Sequence, residues 1–254
     1  MARILLIETA TEVCSAAIAV HGEVVAIAEE LHSQNHAALL TLQIEQCVKD
    51  SGIPLSNLDA VAVSRGPGSY TSLRVGASVA KGICYALGKP LIAVDTLLAL
   101  AAAARSEVGN WKLEIDNPDV TTNFQFPISN FLLLPMLDAR RQEVWLAAYD
   151  PQLRPLATAQ PLILENDLFE KFVRAADPAG LGEVLIVAGN GSLKLENVPA
   201  SKRTVFSSIK NCSARHLVPL AEQFFQDADF QNVAYFEPFY MKAPNITTPS
   251  KAPF

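Results

Sequence analysis

An α/β fold made of two successive units is what this sequence predicts, and three observations carry the prediction. Over the first 105 residues, short apolar runs of strand length alternate with longer stretches of helical period, in the order strand, strand, strand, helix, strand, helix, strand, helix. A similar alternation resumes after a polar stretch, and 254 residues at ~150 per domain leave room for one large domain or two modest ones. Half of the residues are hydrophobic and 18% are charged, enough apolar mass for a substantial core and too much for a disordered chain.

The elements follow in order. Residues 3–7 form an apolar strand, 8–12 a polar turn, 14–20 a second strand, and 23–31 a third after the His21-Gly22 turn. A helix is expected over 36–50, closed by Gly52 and Pro54, and a fourth strand over 58–64. Ser69, Thr71 or Ser72 can cap a helix that runs to residue 87, where Gly88 and Pro90 stop it. A fifth strand covers 91–94, and an alanine-rich helix starts at Thr96 and reaches about 104. These elements make a first lobe of residues 1–105. Residues 106–130 carry Asn, Asp, Pro and Thr with little periodicity and read as a linker or insertion. A second lobe, 131–254, has candidate strands at 132–137, 143–149, 161–164 and 184–188 and helices at 168–176 and 213–226. Its Pro-rich tail, 244–254, is expected to be mobile.

Charge and cysteine usage narrow the function classes. Twenty Lys and Arg against 26 Asp and Glu give a net charge of −6. That balance opposes any binding mode that neutralises many phosphates, so an RNA role needs a basic partner. The four cysteines, Cys14, Cys47, Cys84 and Cys212, lie far apart with no C-x-x-C pair, which suits reduced thiols in a cytoplasmic protein. Glu8 interrupts the opening apolar run too early for an export signal, and no stretch of ~18 apolar residues is present to span a membrane.

Two loops carry the most local chemistry. In the 8–14 turn, Thr9, Thr11 and Ser15 offer hydroxyl and backbone donors, but Glu8 and Glu12 repel an anion, so a tight hairpin and a phosphate contact both remain open. The segment 65–74, Arg-Gly-Pro-Gly-Ser-Tyr-Thr-Ser-Leu-Arg, places glycines before a helix N-terminus, a setting for an anion or for a purely structural turn. It lacks the lysine of G-x-x-x-x-G-K-[ST] and is not a P-loop; G-x-S-x-G is absent as well. His32 and His36 are four apart without a third ligand, so a cap or surface role fits better than a metal site. Asp138, Arg140, Arg141 and Glu143 read as a solvated turn after a strand, the alternative being a charged edge of a cleft. The helix over 36–50 has an apolar stripe wider than ~100°, and its companion over 72–87 carries Gly76, Ala77, Ser78, Ala80 and Gly82. The rest of the chain or a second subunit must cover them.

Four segments together resemble one family: residues 3–15 (RILLIETATEVCS), 65–76 (RGPGSYTSLRVG), 138–144 (DARRQEV) and 237–240 (EPFY) are similar to the bacterial TsaB (YeaZ) proteins. The resemblance spans most of the chain and is most specific in its second segment. It implies an actin-like ATPase (ribonuclease H-like) fold of two similar lobes, each a mixed sheet with flanking helices. It further implies a role in making N6-threonylcarbamoyladenosine at adenosine 37 of tRNA, as the non-catalytic partner of the transferase TsaD.

In the transferase a His-x-x-x-His pair on the helix after the fifth strand holds a metal. Laid onto residues 94–100, those positions are Thr96 and Leu100, which cannot replace imidazoles. No catalytic and no metal-ligating residue is therefore expected. The resemblance places a partner interface, with TsaD or with a second copy of the chain, at His36, Leu39, Leu40, Gln43, Ile44, Cys47, Leu73, Gly76, Ala77, Ala80, Ile83 and Cys84. It brings the motif loops close to that surface, where Glu8, Thr9, Thr11, Arg65, Gly66, Pro67, Gly68, Ser69, Thr71 and Arg74 offer contacts to a nucleotide, to TsaD or to the ATPase TsaE. Glu8 stands where such loops commonly have aspartate, and residues 110–130 look like an insertion. No cofactor is expected to be held tightly, ATP or ADP being accommodated at the complex interface, and tRNA is reached only through the complex. The rival readings are a stand-alone actin-fold enzyme, either an ATPase or phosphotransferase or a peptidase, and a homodimeric regulator.

Overall fold

The computed structural model describes residues 2–32, 35–115, 130–165, 167–195, 198 and 201–242, with backbone alone for 110–115. Two five-stranded sheets repeat one topology. In the first, β1 (Arg3–Glu8), β2 (Cys14–Val20) and β3 (Glu23–Glu30) form an antiparallel meander, and β4 (Ala60–Gly66) and β5 (Leu91–Asp95) add in parallel on the other side of β1, giving the order β3-β2-β1-β4-β5. In the second, β6 (Phe131–Asp138), β7 (Glu143–Tyr149) and β8 (Pro155–Ile163) make the meander, and β9 (Val184–Ala188) and β10 (Arg203–Phe206) add in parallel, giving β10-β9-β6-β7-β8.

Helices α1 (His36–Ser51), α2 (Tyr70–Leu87) and α3 (Thr96–Ile115) belong to lobe 1, and α4 (Leu168–Ala176) occupies in lobe 2 the place α1 holds in lobe 1. The counterpart of α2 is a 3-10 turn, Asn190–Leu195, so the second lobe is the reduced one. The counterpart of α3 is α5 (Ala214–Gln226).

Strand period explains the layering. Leu5 and Ile7 of β1 point toward α1 and α2, where Leu40, Ile44, Cys47, Ala77, Ala80 and Cys84 meet them. Ile4 and Leu6 point the other way, into a core shared with α3, α5 and sheet 2 through Leu97, Leu100, Leu217, Ala221, Leu133 and Ile186. Because both faces of the sheet are covered, its strands lack polar alternation. On the far side of sheet 2, α4 inserts Phe169, Phe172 and Val173 against Leu134 and Met136.

Three expectations change. The helix expected to end near residue 104 continues to Ile115. Ala104 and Val108 remain buried a turn apart between the sheets, and the Glu107 carboxylate accepts from Ser208 N at 3.0 Å and from the Ser207 hydroxyl. Only residues 116–129 of the expected linker lie outside the described residues. β8 begins at Pro155 rather than 161; it is an edge strand, where proline's missing N–H is tolerated. β10, four residues long with Arg203 and Thr204 at one end, has no readable alternation and was not anticipated. The described segment after β10 is not confined to contacts within the second lobe: α5 packs on β1 to β5 of lobe 1, and residues 231–242 return to lobe 1 through Gln231 N to Leu91 O (2.8 Å) and Phe239 N to Arg65 O (2.6 Å). The tail at 244–254 lies outside the described residues.

Candidate functional site

Parallel strands end together, so the C-terminal ends of β1 and β4 bring the 8–13 and 67–69 loops to one place beside the start of α1. With His36 and the first turn of α2 they form one lip of a cleft of about 780 Å³ between the lobes. The opposite lip is the β6–β7 hairpin with Asp138 and Arg140, joined by Asn190, and residues 240–242 of the C-terminal segment cross from the first lip to the second.

The β1–β2 turn is satisfied from within. Ala10 N donates to Glu8 Oε1 at 2.5 Å, Val13 N to Thr11 Oγ1 at 3.3 Å, and Thr9 N to Ser64 Oγ at 3.4 Å. Ala10 O accepts from Ser69 N at 2.7 Å, and Thr11 O from His36 Nε2 at 3.0 Å. A phosphate cradle needs outward backbone N–H groups, and this turn has used three of its own. Glu8 is fully buried. Burial raises its pKa, and the Ala10 N–H, the Cys212 thiol and the Ser64 hydroxyl only partly offset that; Oε2 makes no hydrogen bond in the described structure. Of the expected nucleotide or partner contacts in this turn, Glu8 and Thr9 are fully buried, and Thr11 lines the cleft.

The Arg65–Arg74 segment owes its glycines to close approaches. Gly66 has φ +107°, and a Cβ there would lie 2.6 Å from Phe239 O. The Gly66–Pro67 peptide is cis. A Cβ on Gly68 would collide with the Ala10 carbonyl. Ser69 caps α2, accepting from Ser72 N at 3.5 Å. Arg65 lies 3.9 Å from Asp95, whose pKa burial raises, and Asp95 accepts from Leu98 N at 3.0 Å. Arg74 stacks over the Tyr70 ring at 4.7 Å, and Thr71 is exposed at the cleft. The loop is thus a packing junction of β1–β2, α2 and the C-terminal segment.

The single chain shows where the twelve expected interface residues lie. Ten of them (His36, Leu40, Gln43, Ile44, Cys47, Leu73, Gly76, Ala77, Ala80 and Cys84) are buried against their own lobe, and Leu39 and Ile83 are half-buried. Gln43 Nε2 donates to Cys14 O at 2.8 Å and Cys47 Sγ to Ala16 O at 3.1 Å, so this face of α1 reads the sheet. The outer faces present Leu42 on α1 at 59% exposure and Tyr85 on α2 at 87%, and Gly82, one turn before Tyr85, faces open space.

His32 pairs with Glu12 at 3.6 Å at the surface, and no group of three His, Cys, Asp or Glu side chains among the described residues could hold a metal. Asp138 to Glu143 is a hairpin turn, with Arg140 and Arg141 at φ +71° and +50°, and its Arg140 also lines the cleft. Tyr70, Trp145, Tyr240 and Lys242 were not singled out by sequence reasoning; the EPFY segment was the available signal for Tyr240.

The sequence pattern of the TsaD family, tRNA N6-adenosine threonylcarbamoyltransferase, matches residues 11–251. The chain belongs to the TsaD family. Within it, the chain is similar over 94% of its length and 94% of the other's to the tRNA threonylcarbamoyladenosine biosynthesis protein TsaB of Escherichia coli, at 25% identity. It is 39% identical to TsaB of Haemophilus influenzae over 101 residues, a match that spans 40% of this chain and 42% of that protein. YeaZ from Pseudomonas aeruginosa shares the fold with a TM-score of 0.74 at 26% identity, over 94% of this chain and all of that one. The resemblance to TsaB and YeaZ and the actin-like two-lobed fold therefore stand.

Against that TsaD-family frame, Thr96 and Leu100 have clear surroundings. Both are fully buried; Leu100 belongs to the core between the lobes, and its Cδ1 would lie 3.2 Å from a Cβ on Gly189. Where the resemblance sets two metal-binding imidazoles of the transferase, this member of the TsaD family has packing.

Proposed function

We propose that this chain is the non-catalytic accessory subunit of threonylcarbamoyladenosine formation on tRNA and works by binding and activating a TsaD-type transferase. The observation that carries the reading is the pair Thr96 and Leu100: a family fold is kept along the whole chain while two side chains in its chemical position are an unligating hydroxyl and a core leucine. The outer face of α1 and α2, with Leu42, Gly82 and Tyr85, is the docking surface in this reading, because it combines exposed apolar area with a small residue that lets another helix approach. The same face serves a homodimer when the partner is absent. A TsaE-type ATPase joins the assembly, tRNA is engaged through the complex, and any ATP or ADP sits at the interface between chains. The proposed compartment is the cytoplasm; among the described residues no helix is long and apolar enough to cross a membrane.

Reconstitution tests this. Purified transferase, tRNA and threonylcarbamoyl-adenylate are incubated with and without this chain, and modified adenosine is quantified. The expected result is modification that depends on the chain. Equal rates without it overturn the accessory role, and turnover by the chain alone would favour the stand-alone enzyme.

A further inference from the structure

After α5 the chain runs back over lobe 1 as a strap, residues 231–242, with one hydrogen-bonded turn at 232–236. Main-chain bonds from Gln231 to Leu91 and from Phe239 to Arg65 hold it to the ends of β5 and β4. Lys81 reaches up from α2 and donates to the carbonyls of Ala234 (3.2 Å) and Phe236 (2.9 Å), and the Phe236 ring is buried in the core beneath α1 and α2. The strap then enters the cleft. The Tyr240 ring centroid is 4.5 Å from that of Tyr70, and Arg74, whose guanidinium interacts with Tyr240, also stacks on Tyr70. Two residues later the Lys242 ammonium pairs with the carboxylate of Glu143, the first residue of β7. A segment anchored on lobe 1 thus ends on lobe 2.

The surroundings give this bridge mechanical meaning. Behind the cleft, the lobes share one continuous core through α3 and α5. At the front, the lips carry polar and charged groups with a cavity between them. A body fixed by close packing on one side and wet on the other changes shape by opening the wet side. Within the hairpin, Asp138 is taken by Lys194 at 2.6 Å, which leaves Glu143 to Lys242.

We propose that residues 240–242 form an interlobe latch: Tyr240 anchors it on α2, and the Lys242–Glu143 pair draws the β6–β7 hairpin toward α2 and sets the width of the cleft. The Lys242 side chain is 50% exposed and that of Glu143 18%, so the latch biases an equilibrium without locking it. An exposed pair of this kind shifts a two-state ratio by about two- to fivefold.

Spin labels on cysteines introduced by Ser78→Cys on α2 and Gln142→Cys in the hairpin, both at exposed positions, read the distance between the lips. The four native cysteines are buried and stay unlabelled. With the full chain, Lys242→Glu is expected to move the distance distribution toward longer values by at least that about two- to fivefold change in ratio. The swap Lys242→Glu with Glu143→Lys is expected to restore the parent distribution, and Tyr240→Ala to widen it without touching charge. Should charge reversal unfold the chain, as judged by circular dichroism, Lys242→Gln gives the same reading with the same expected direction. A distribution unchanged by removal of the lysine charge, one unchanged by Tyr240→Ala, or one that stays wide in the charge swap overturns the latch.

Discussion

Replacing Gly76 and Gly82 by alanine, one at a time, compares two positions of α2 that share a backbone state and differ in what a methyl group would meet. Both lie inside the helix, so each replacement gains about 1 kcal/mol of helix propensity. At Gly82 the new Cβ has nothing within 4 Å, and the gain stands. At Gly76 it collides with Thr9 Oγ1, a buried hydroxyl on the tightly bonded β1–β2 turn. Overpacking of this kind costs about 1–3 kcal/mol, so Gly76→Ala is expected to be about 0–2 kcal/mol less stable than the parent. The propensity gain cancels between the two variants and leaves a difference of about 1–3 kcal/mol. At ~2–4 °C per kcal/mol for a chain of this size, the melting temperature of Gly76→Ala falls roughly 2–12 °C below that of Gly82→Ala. Thermal unfolding by calorimetry checks it, and Thr9→Ala supplies the control: with the hydroxyl gone, the penalty at Gly76 should shrink in a double-mutant cycle. Equal melting temperatures for the two glycine variants would refute the claim that Gly76 is an internal packing position.

Two further outcomes follow from the same structure. Burial lowers the His216 pKa to about 4, and its neutral Nδ1 accepts from Ser213 N at 3.1 Å to close the α5 cap. The unfolded chain therefore binds the extra proton first: this contribution is complete above the ordinary value near 6.5 and is lost as pH falls toward 4, up to about 3 kcal/mol. His216→Gln keeps the capping box without titrating, so urea midpoints between pH 7 and 4 should fall less steeply than in the parent; parallel curves would count against the assignment. On the outer helix face, Gly82→Trp and Tyr85→Glu should leave the melting temperature near the parent's. They should weaken association with the transferase by about 2 kcal/mol, some thirtyfold, in an interferometry titration, and undiminished affinity would move the docking surface elsewhere.

The first lobe was legible because its punctuation is chemical. Asn35 and Gly52 bound α1, and Ser69 and Gly88 bound α2, with the glycines at φ +68° and +61°. Periodicity failed where both sides of an element are covered or neither is. α3, between two sheets, is apolar from Leu97 to Ala104 and carries Arg105, Ser106 and Glu107 in succession after that, so no regular period marks its length, and β10 is four residues at an edge. The site was legible as a set of loops, since residues 8–14 and 65–74 do meet. The direction in which some of their groups point was hidden, because it depends on partners distant in sequence, such as Ser64 for Thr9 N and Phe239 for Arg65 O. The wide stripe of α1 is legible as more apolar surface than one contact needs, while which of its residues meet the sheet depends on the fold: Leu40, Ile44 and Cys47 do, and Leu42 is exposed.

That distinction bears on what the family's loops answer to in this chain. In the Arg65–Arg74 segment every constrained backbone position answers to a neighbour in the same chain: Gly66 to the Phe239 carbonyl, Gly68 to the Ala10 carbonyl, Ser69 to the first turn of α2. On α3, Leu100 answers instead to the interlobe core, where it packs among apolar side chains. Losing a glycine from the loop would push apart three segments at once. Packing alone is then enough to hold the motif in place, and a resemblance carried by these glycines reports the shape of the lobe rather than the reaction. The residues that separate a transferase from its helper are those whose only task is to bind something from outside the chain.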